Sequence, residues 1–412
     1  MSSARSITRP EVRVLLLCAQ KDRNPAADEN LNSLLEEDLD WDYLARMARR
    51  HRVRPLLFWR LNSALPGDVP EGVLKQLKDY FSTNAQRNLF LTRELLRVLR
   101  AFEAHGVSAI PYKGPALAAS VYGNLSLREI GDLDVLVRKD DILRARGLLT
   151  SLGYQQWIRL TNTPGSLTGA QEAALMHSRG GHNYVHSDTM SVVDLQWTVA
   201  KRHFSFQLNP EYLWQHVQQT RLGGSKVLAL PPETLLIVLC MHGSKHLWER
   251  LIWICDVAEL VRGSEGLDWE NMLEQASMLG SERMLLLGLY LANSLLGSPL
   301  PETVLQRVQS DSAVGELAEQ IRSQLFKEYG FEGSFEEIRF ETGHLKMRER
   351  WRDRARYFVL TLMTPDEEDW MSLRLPDQLW PLYYVLRPIR LIGKYGQRYL
   401  NTLRWGQRNQ LD

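Results

Sequence analysis

Lys113-Gly-Pro-Ala-Leu117, followed by Arg128-Glu-Ile-Gly-Asp-Leu-Asp-Val-Leu-Val137, sets two carboxylates one residue apart at the head of an apolar run just after a Lys-Gly turn. Along Asp132-Leu-Asp-Val-Leu-Val137 a period of two puts Asp132 and Asp134 on one face, with Leu133, Val135 and Val137 on the other. The run reads as a central strand, where acids are costly without a compensating charge. A cation between them is the best reason for their presence, and an ion pair to Arg128 is the plainer alternative. Acids so arranged suit two metal ions about 3.5–4 Å apart, one acting on an attacking oxygen and one on a departing pyrophosphate.

The flanks supply the turn. His105-Gly106 breaks a preceding helix, and Val107 to Tyr112 reads as a short strand delivering Lys113 and Gly114. Pro115 suits the first turn of a helix that runs to Tyr122 and stops at Gly123-Asn124. A glycine between strand and helix lets backbone approach a phosphate at the positive helix end, and Lys113 adds a point charge. Arg128 could contact a phosphate or brace a carboxylate. A third acid, Asp194, stands mid-strand in Val192-Val-Asp-Leu-Gln-Trp197; if that strand lies beside the Asp132 strand, its carboxylate joins the same face, as metal ligand and proton acceptor.

Elsewhere the period is mostly helical. Apolar residues recur at helical spacing from Pro10 to about Ala104, and again in 234–248, 251–262, 269–279 and 282–296. A helix over 140–152, a strand from Tyr154, and a strand pair 182–186 and 191–197 turning near Ser187-Asp188 complete a small mixed sheet. The expectation is an α+β chain, predominantly helical: an N-terminal helical region (1–104), a small mixed β-sheet core (105–222), a helical lobe (223–345) and a basic, aromatic helical tail (346–412). Residues 326–345 read as irregular and acidic.

Composition narrows the function. The 412 residues suffice for several cored units, and 50 basic against 49 acidic side chains leave a net charge of +1. That balance disfavours nucleic acid as a partner without excluding it. Cys18, Cys240 and Cys255 lie far apart without C-x-x-C spacing, so neither zinc nor a disulfide framework is expected and a reducing cytoplasm fits. No stretch reaches the roughly 18 uncharged residues needed to span a bilayer, and the first residues hold no sustained apolar segment.

Two further segments carry charge. His242, Lys245, His246 and Arg250 recur at spacings of three and four, one helix face; two histidines four apart can bind zinc, but no H-E-x-x-H pattern accompanies them. Lys245 and Arg250 are candidate triphosphate contacts, with a solvated basic face as the plain alternative and Asp256 a possible partner for the cluster. From Trp380 to Trp405 aromatics mix with Arg and Lys. That segment could lie on an anionic membrane surface or dock a partner, although such segments more often pack their apolar side inward, and Pro388, Gly393 and Gly396 interrupt the pattern.

Lys-Gly, a helix, Tyr-Gly, Arg-x-x-x-Asp-x-Asp-x-Leu-Val and Val-Asp-Leu-x-Trp, in that order, resemble the uncharacterised nucleotidyltransferase family of the polymerase-beta-like superfamily, and His242 to Asp256 with Leu267-Asp-Trp269 resembles its helical motif. The likeness spans roughly residues 40–300. It implies a nucleotidyltransferase fold in which Asp132 and Asp134 hold two Mg²⁺ ions, Asp194 completes the trio, and Lys113-Gly114 fills the glycine turn. It further implies a nucleoside triphosphate donor, ATP first among them, and transfer of a nucleoside monophosphate to a hydroxyl of a small molecule or protein. The chain departs from the pattern twice: Pro115 stands where superfamily members commonly carry serine, and Gln196 where a histidine often follows the third acid. The competing functions are a catalytically idle nucleotide-binding scaffold and a toxin-like enzyme acting on transfer RNA or protein.

Overall fold

The computed structural model describes residues 9–22, 25–62, 69–157, 180–199, 210–327, 343–365, 367–373 and 375–392. Among the described residues five helices come first: α1 (Pro10–Cys18), α2 (Pro25–Leu35), α3 (Trp41–Arg50), α4 (Arg54–Leu61) and the 34-residue α5 (Glu71–Ala104). The last contains no interior proline, and its apolar positions track one side: Leu77, Leu91, Leu95, Val98 and Phe102 are all buried. Asp40 caps α3 by accepting a hydrogen bond from the Tyr43 amide at 2.8 Å.

The core follows as β1 (Ala109–Pro111), α6 (Gly114–Ser120), β2 (Leu133–Val137), α7 (Ile142–Ser151), β3 (Tyr154–Gln156), β4 (Gly181–His186) and β5 (Val192–Gln196). They form one mixed sheet in the order β1-β2-β5-β4-β3, in which β2 and β5 are parallel and the other neighbours antiparallel. Every residue of β2 is buried, as the apolar run requires for a strand covered on both faces. Leu133, Val135 and Val137 enter the core shared with α5 and α7, while Leu136, on the opposite face, joins the larger core of the helical regions. The strand begins at Leu133, so Asp132 is the last residue of the preceding loop rather than a strand position.

Beyond the sheet, β6 (Gln218–Leu222) and β7 (Ser225–Ala229) pair as a hairpin that the sequence reading left out, and the expected boundary at 222/223 falls in its turn. Gly223 and Gly224, at φ 53° and 82°, make that turn, and Gly-Gly between alternating residues is the signal that identifies it. The lobe contains α8 (Pro232–Lys245), α9 (Leu251–Gly263), α10 (Trp269–Leu279), α11 (Glu282–Leu296), α12 (Glu302–Ser310) and α13 (Ser312–Leu325). Its apolar core is continuous with that of α1–α4, so the two helical regions pack together around one side of the sheet. The irregular acidic segment expected at 326–345 lies largely outside the described residues. The chain continues through α14 (Trp351–Met363), α15 (Glu367–Ser372) and α16 (residues 383–392). Among the described residues no helix is long and apolar enough to cross a membrane, and the three cysteines are free and buried.

Candidate active site

Parallel pairing of β2 with β5 brings the acids together. Asp134 and Asp194 are direct partners in the register, so their side chains leave the same face of adjacent strands. Asp132, one residue before β2, completes the group: ligating oxygens of the three carboxylates lie within 4.8 Å of one another. Asp132 is exposed at the mouth, Asp134 is buried and Asp194 is half-buried. Among the described residues this is the one cluster of three or more acidic, histidine or cysteine side chains arranged to hold a metal ion, and the His242/His246 pair recruits no third ligand. Three hard oxygen donors suit Mg²⁺ or Mn²⁺.

The crowding is visible in the acid strengths. The Asp134 charge raises the Asp132 carboxyl above the usual carboxylate range. Burial, and then the Asp134 charge, push Asp194 up to about 7. Two side chains offset the repulsion. Lys113 places Nζ 2.6 Å from Asp134 Oδ1; burial alone would weaken its hold on the proton, but the carboxylates more than reverse that and its ammonium is held above the usual lysine range. Gln196 donates from Nε2 to Asp194 Oδ2 at 2.5 Å and to Asp134 Oδ1 at 3.2 Å, while its Oε1 accepts from the Tyr112 hydroxyl at 2.5 Å. The residue that stands in place of a histidine therefore ties two acids to each other.

Two glycines create the room. Gly114 has φ 57°, and a Cβ there would stand 2.9 Å from the Asp132 carbonyl oxygen, so the glycine lets the start of α6 press against the acidic loop. Gly181 on β4 faces Gln196, where a Cβ would meet Gln196 Cγ at 2.7 Å and the Leu195 carbonyl at 2.9 Å.

The loop before Asp132 is held by the long helix. Asn88 donates to the carbonyls of Leu125 at 2.6 Å and Arg128 at 2.8 Å, Asn84 to that of Ser126 at 2.9 Å, and Arg87 to that of Ile130 at 2.7 Å. Arg54 adds a bidentate pair to Glu129 at 3.0 and 3.1 Å. The N-terminal helices thus hold the acidic loop in place. Sequence reasoning had no means of connecting amides on α5 to carbonyls about forty residues away.

Arg128 braces a carboxylate, but one outside the metal cluster. Its guanidinium makes a bidentate pair with Asp256 on α9, both contacts 2.8 Å, and the Tyr122 hydroxyl donates to the same carboxylate at 2.8 Å. With Arg128 and Asp256 both buried, this pair joins the sheet core to the helical lobe and leaves the guanidinium away from solvent. Asp256 accordingly partners Arg128 rather than the basic face of α8. Arg250, just before α9, and Asp132 are both within electrostatic reach of Arg52, whose guanidinium lies close to Gly131. Arg52 was missed; it sits in the α3–α4 connection with no motif around it. Lys245 ends α8 half-buried, and its charge, with those of Lys113 and Arg128, acts on His242. Burial and then these cations hold the His242 imidazole well below its ordinary acidity range. His242, His246 and Trp253 pack ring on ring, centroids 4.8–5.5 Å apart.

No curated protein and no solved structure matches the chain. The profile of one family does: "Uncharacterised nucleotidyltransferase", over residues 37–297, which takes in the sheet, the acidic trio, Lys113-Gly114 and the helical lobe through α11. With well over half of its length inside that match and its carboxylates converging from β2 and β5, the chain belongs to the uncharacterised nucleotidyltransferase family.

Proposed function

We propose that the protein is a Mg²⁺-dependent nucleotidyltransferase that moves a nucleoside monophosphate from a nucleoside triphosphate, ATP being the first donor to test, to a hydroxyl of a small molecule or protein. The observation that carries this is the register pairing of Asp134 with Asp194, with Asp132 closing a three-carboxylate cluster at its open side. Bound at that cluster, Mg²⁺ would neutralise the triphosphate and acidify the acceptor hydroxyl.

Asp132 and Asp134 would hold both ions; Asp194 would orient the acceptor hydroxyl and take its proton as the oxygen bonds to the α-phosphorus and the bond to pyrophosphate breaks. Gln196, fixed by Tyr112, keeps the two strand acids in line when the ions are bound. Lys113 exchanges its contact with Asp134 for the donor's phosphate oxygens, and Arg52, Arg250 and Lys245 provide positive charge on the side of the helical lobe. The buried free thiols suit a reducing cytoplasm.

The test is calorimetric titration of ATP, GTP, CTP and UTP with Mg²⁺ into wild type and into Asp132→Ala/Asp134→Ala, with pyrophosphate release followed in parallel. Metal-dependent binding that disappears in the variant establishes the site and names the donor. Binding of no triphosphate at all would sink the enzyme reading and leave a scaffold role in its place.

A further inference from the structure

The acidic trio stands where one face of the sheet passes from covered to open. On the face that carries Asp134, the β1–β2 side lies under the helical regions: Ile110 and Leu136, partners in the register, both belong to the core that those helices build. The far side of the same face is bare. Along β3 and β4 the residues alternate, Tyr154, His182 and Tyr184 being buried while Gln155, Asn183 and Trp157, just past β3, are exposed.

Register carries the chemistry outward along one row. Asp134 pairs with Asp194 and Asp194 with Asn183; the next step of the β3–β4 ladder sets Trp157 opposite Asn183, whose carbonyl accepts from the Trp157 amide at 2.8 Å. Four side chains on four adjacent strands therefore leave the same face at one level, and two strand spacings put Trp157 about 10 Å from Asp194. Asp194 is approachable from this direction. Gln196 takes its Oδ2, whereas Oδ1 is turned toward Gly181 of β4, where a Cβ would stand 3.2 Å from it, so the glycine keeps side-chain bulk away from that oxygen.

Charge distinguishes the two sides. The cations near the trio come from outside β3–β5: Lys113 before α6, Arg52 in the α3–α4 connection and Arg250 before α9. Among the described residues, this face of β3, β4 and β5 carries no lysine, arginine or histidine; it offers the exposed amides of Gln155 and Asn183 and the indole of Trp157 at 38% exposure. A phosphodiester backbone would need cations there. Amides that both donate and accept, beside a flat apolar ring, instead match a molecule with hydroxyls around its edge and C–H groups on its faces.

We infer that the acceptor is an uncharged sugar, lying over β3 and β4 with one ring on Trp157 and hydroxyls on Asn183 and Gln155, so that a further hydroxyl reaches Asp194. That oxygen bonds to the α-phosphorus of the donor, its proton passes to Asp194 and pyrophosphate leaves, giving a sugar esterified with a nucleoside monophosphate. The assignment rests on the reading of Asp194 as the group that takes the acceptor's proton, and its test needs no turnover.

Saturation-transfer difference NMR on the full chain, without ATP or metal, provides the test. The probes are maltotriose, cellobiose and N,N′-diacetylchitobiose as neutral sugars, trigalacturonic acid as an acidic one, and a peptide containing serine and tyrosine. Ring protons of at least one neutral sugar are expected to receive saturation from wild type. Trp157→Ala and Asn183→Ala, both at exposed positions, are each expected to weaken that binding at least about tenfold with an unchanged circular dichroism spectrum. The inference is overturned if none of the neutral sugars binds, if the acidic sugar or the peptide binds in preference, or if both substitutions leave sugar binding intact. Triphosphate binding in calorimetry with no neutral sugar bound overturns the acceptor alone, whereas a neutral sugar bound at Trp157 with no triphosphate bound overturns the donor and leaves a sugar site.

Discussion

Replacing Lys113 with methionine removes the one cation among the described residues in direct contact with the acidic trio while keeping the length of the side chain. Its Nζ lies 2.6 Å from Asp134 Oδ1, and the side chains are 11% and 4% exposed, so little water is available to take over. Breaking a buried pair from one side costs about 3–5 kcal/mol, because the remaining charge is left uncompensated. At roughly 2–4 °C per kcal/mol, this is a fall in melting temperature of about 6–20 °C. The loss should depend on pH. Asp194 titrates at about 7 with Lys113 present, and removing the ammonium raises its acid further, so protonation relieves the crowding in the variant below that value. The deficit is therefore larger at pH 8 than at pH 6. Added Mg²⁺ restores positive charge between the acids and should raise the melting temperature of Lys113→Met more than that of wild type, while Lys113→Met/Asp134→Leu should recover part of the loss without metal. Differential scanning calorimetry in EDTA and in Mg²⁺, at both pH values, reads all of this. Lys113→Met melting with wild type in EDTA at pH 8 would refute the reasoning, since it would mean that the pair contributes nothing to holding the acids.

Arg128→Ala should destabilise by about 3–5 kcal/mol in urea unfolding, because Asp256 would be left buried with only the Tyr122 hydroxyl; Arg128→Ala/Asp256→Ala should cost less than the single change. Gly114→Ala combines a left-handed backbone costing about 1–3 kcal/mol with a Cβ 2.9 Å from the Asp132 carbonyl, and should weaken Mg²⁺-dependent donor binding by at least about tenfold in calorimetry. His51, fully buried and accepting from the Leu251 amide at 3.2 Å, is lowered to about 3 chiefly by burial and then by Arg50. The folded chain keeps it neutral while the unfolded chain protonates it near 6.5, so its contribution is intact above that pH and lost as pH falls toward 3, at about 1.4 kcal/mol per unit. His51→Asn should remove that slope from urea titrations between pH 6.5 and 5, measured against wild type.

Local order was legible because its causes are local. The alternation in Asp132 to Val137 announced a buried strand, the 3.6 period announced α5 and the lobe helices within a few residues, and the motif order from Lys113 to Trp197 pointed to the fold. That Asp194 faces the pair was conditional on one strand lying beside another, a pairing that no spacing states. Tertiary structure supplied it through parallel register, placing Asp194 opposite Asp134. The same holds wherever a side chain has a choice of partner. Arg128 was read as serving phosphate or carboxylate, and the carboxylate it met, Asp256, lies 128 residues on; Gln196 was read as an absent imidazole and is a bridge between two acids; Arg52 carried no motif at all. The tail shows the contrast most plainly, since hydropathy predicts which residues avoid water but α16 turns its arginines toward Asp369 and its aliphatics outward. Period and propensity act over a turn or a strand and are written in the chain, whereas the pairing of charges depends on which surfaces meet, and that is settled when the whole chain packs.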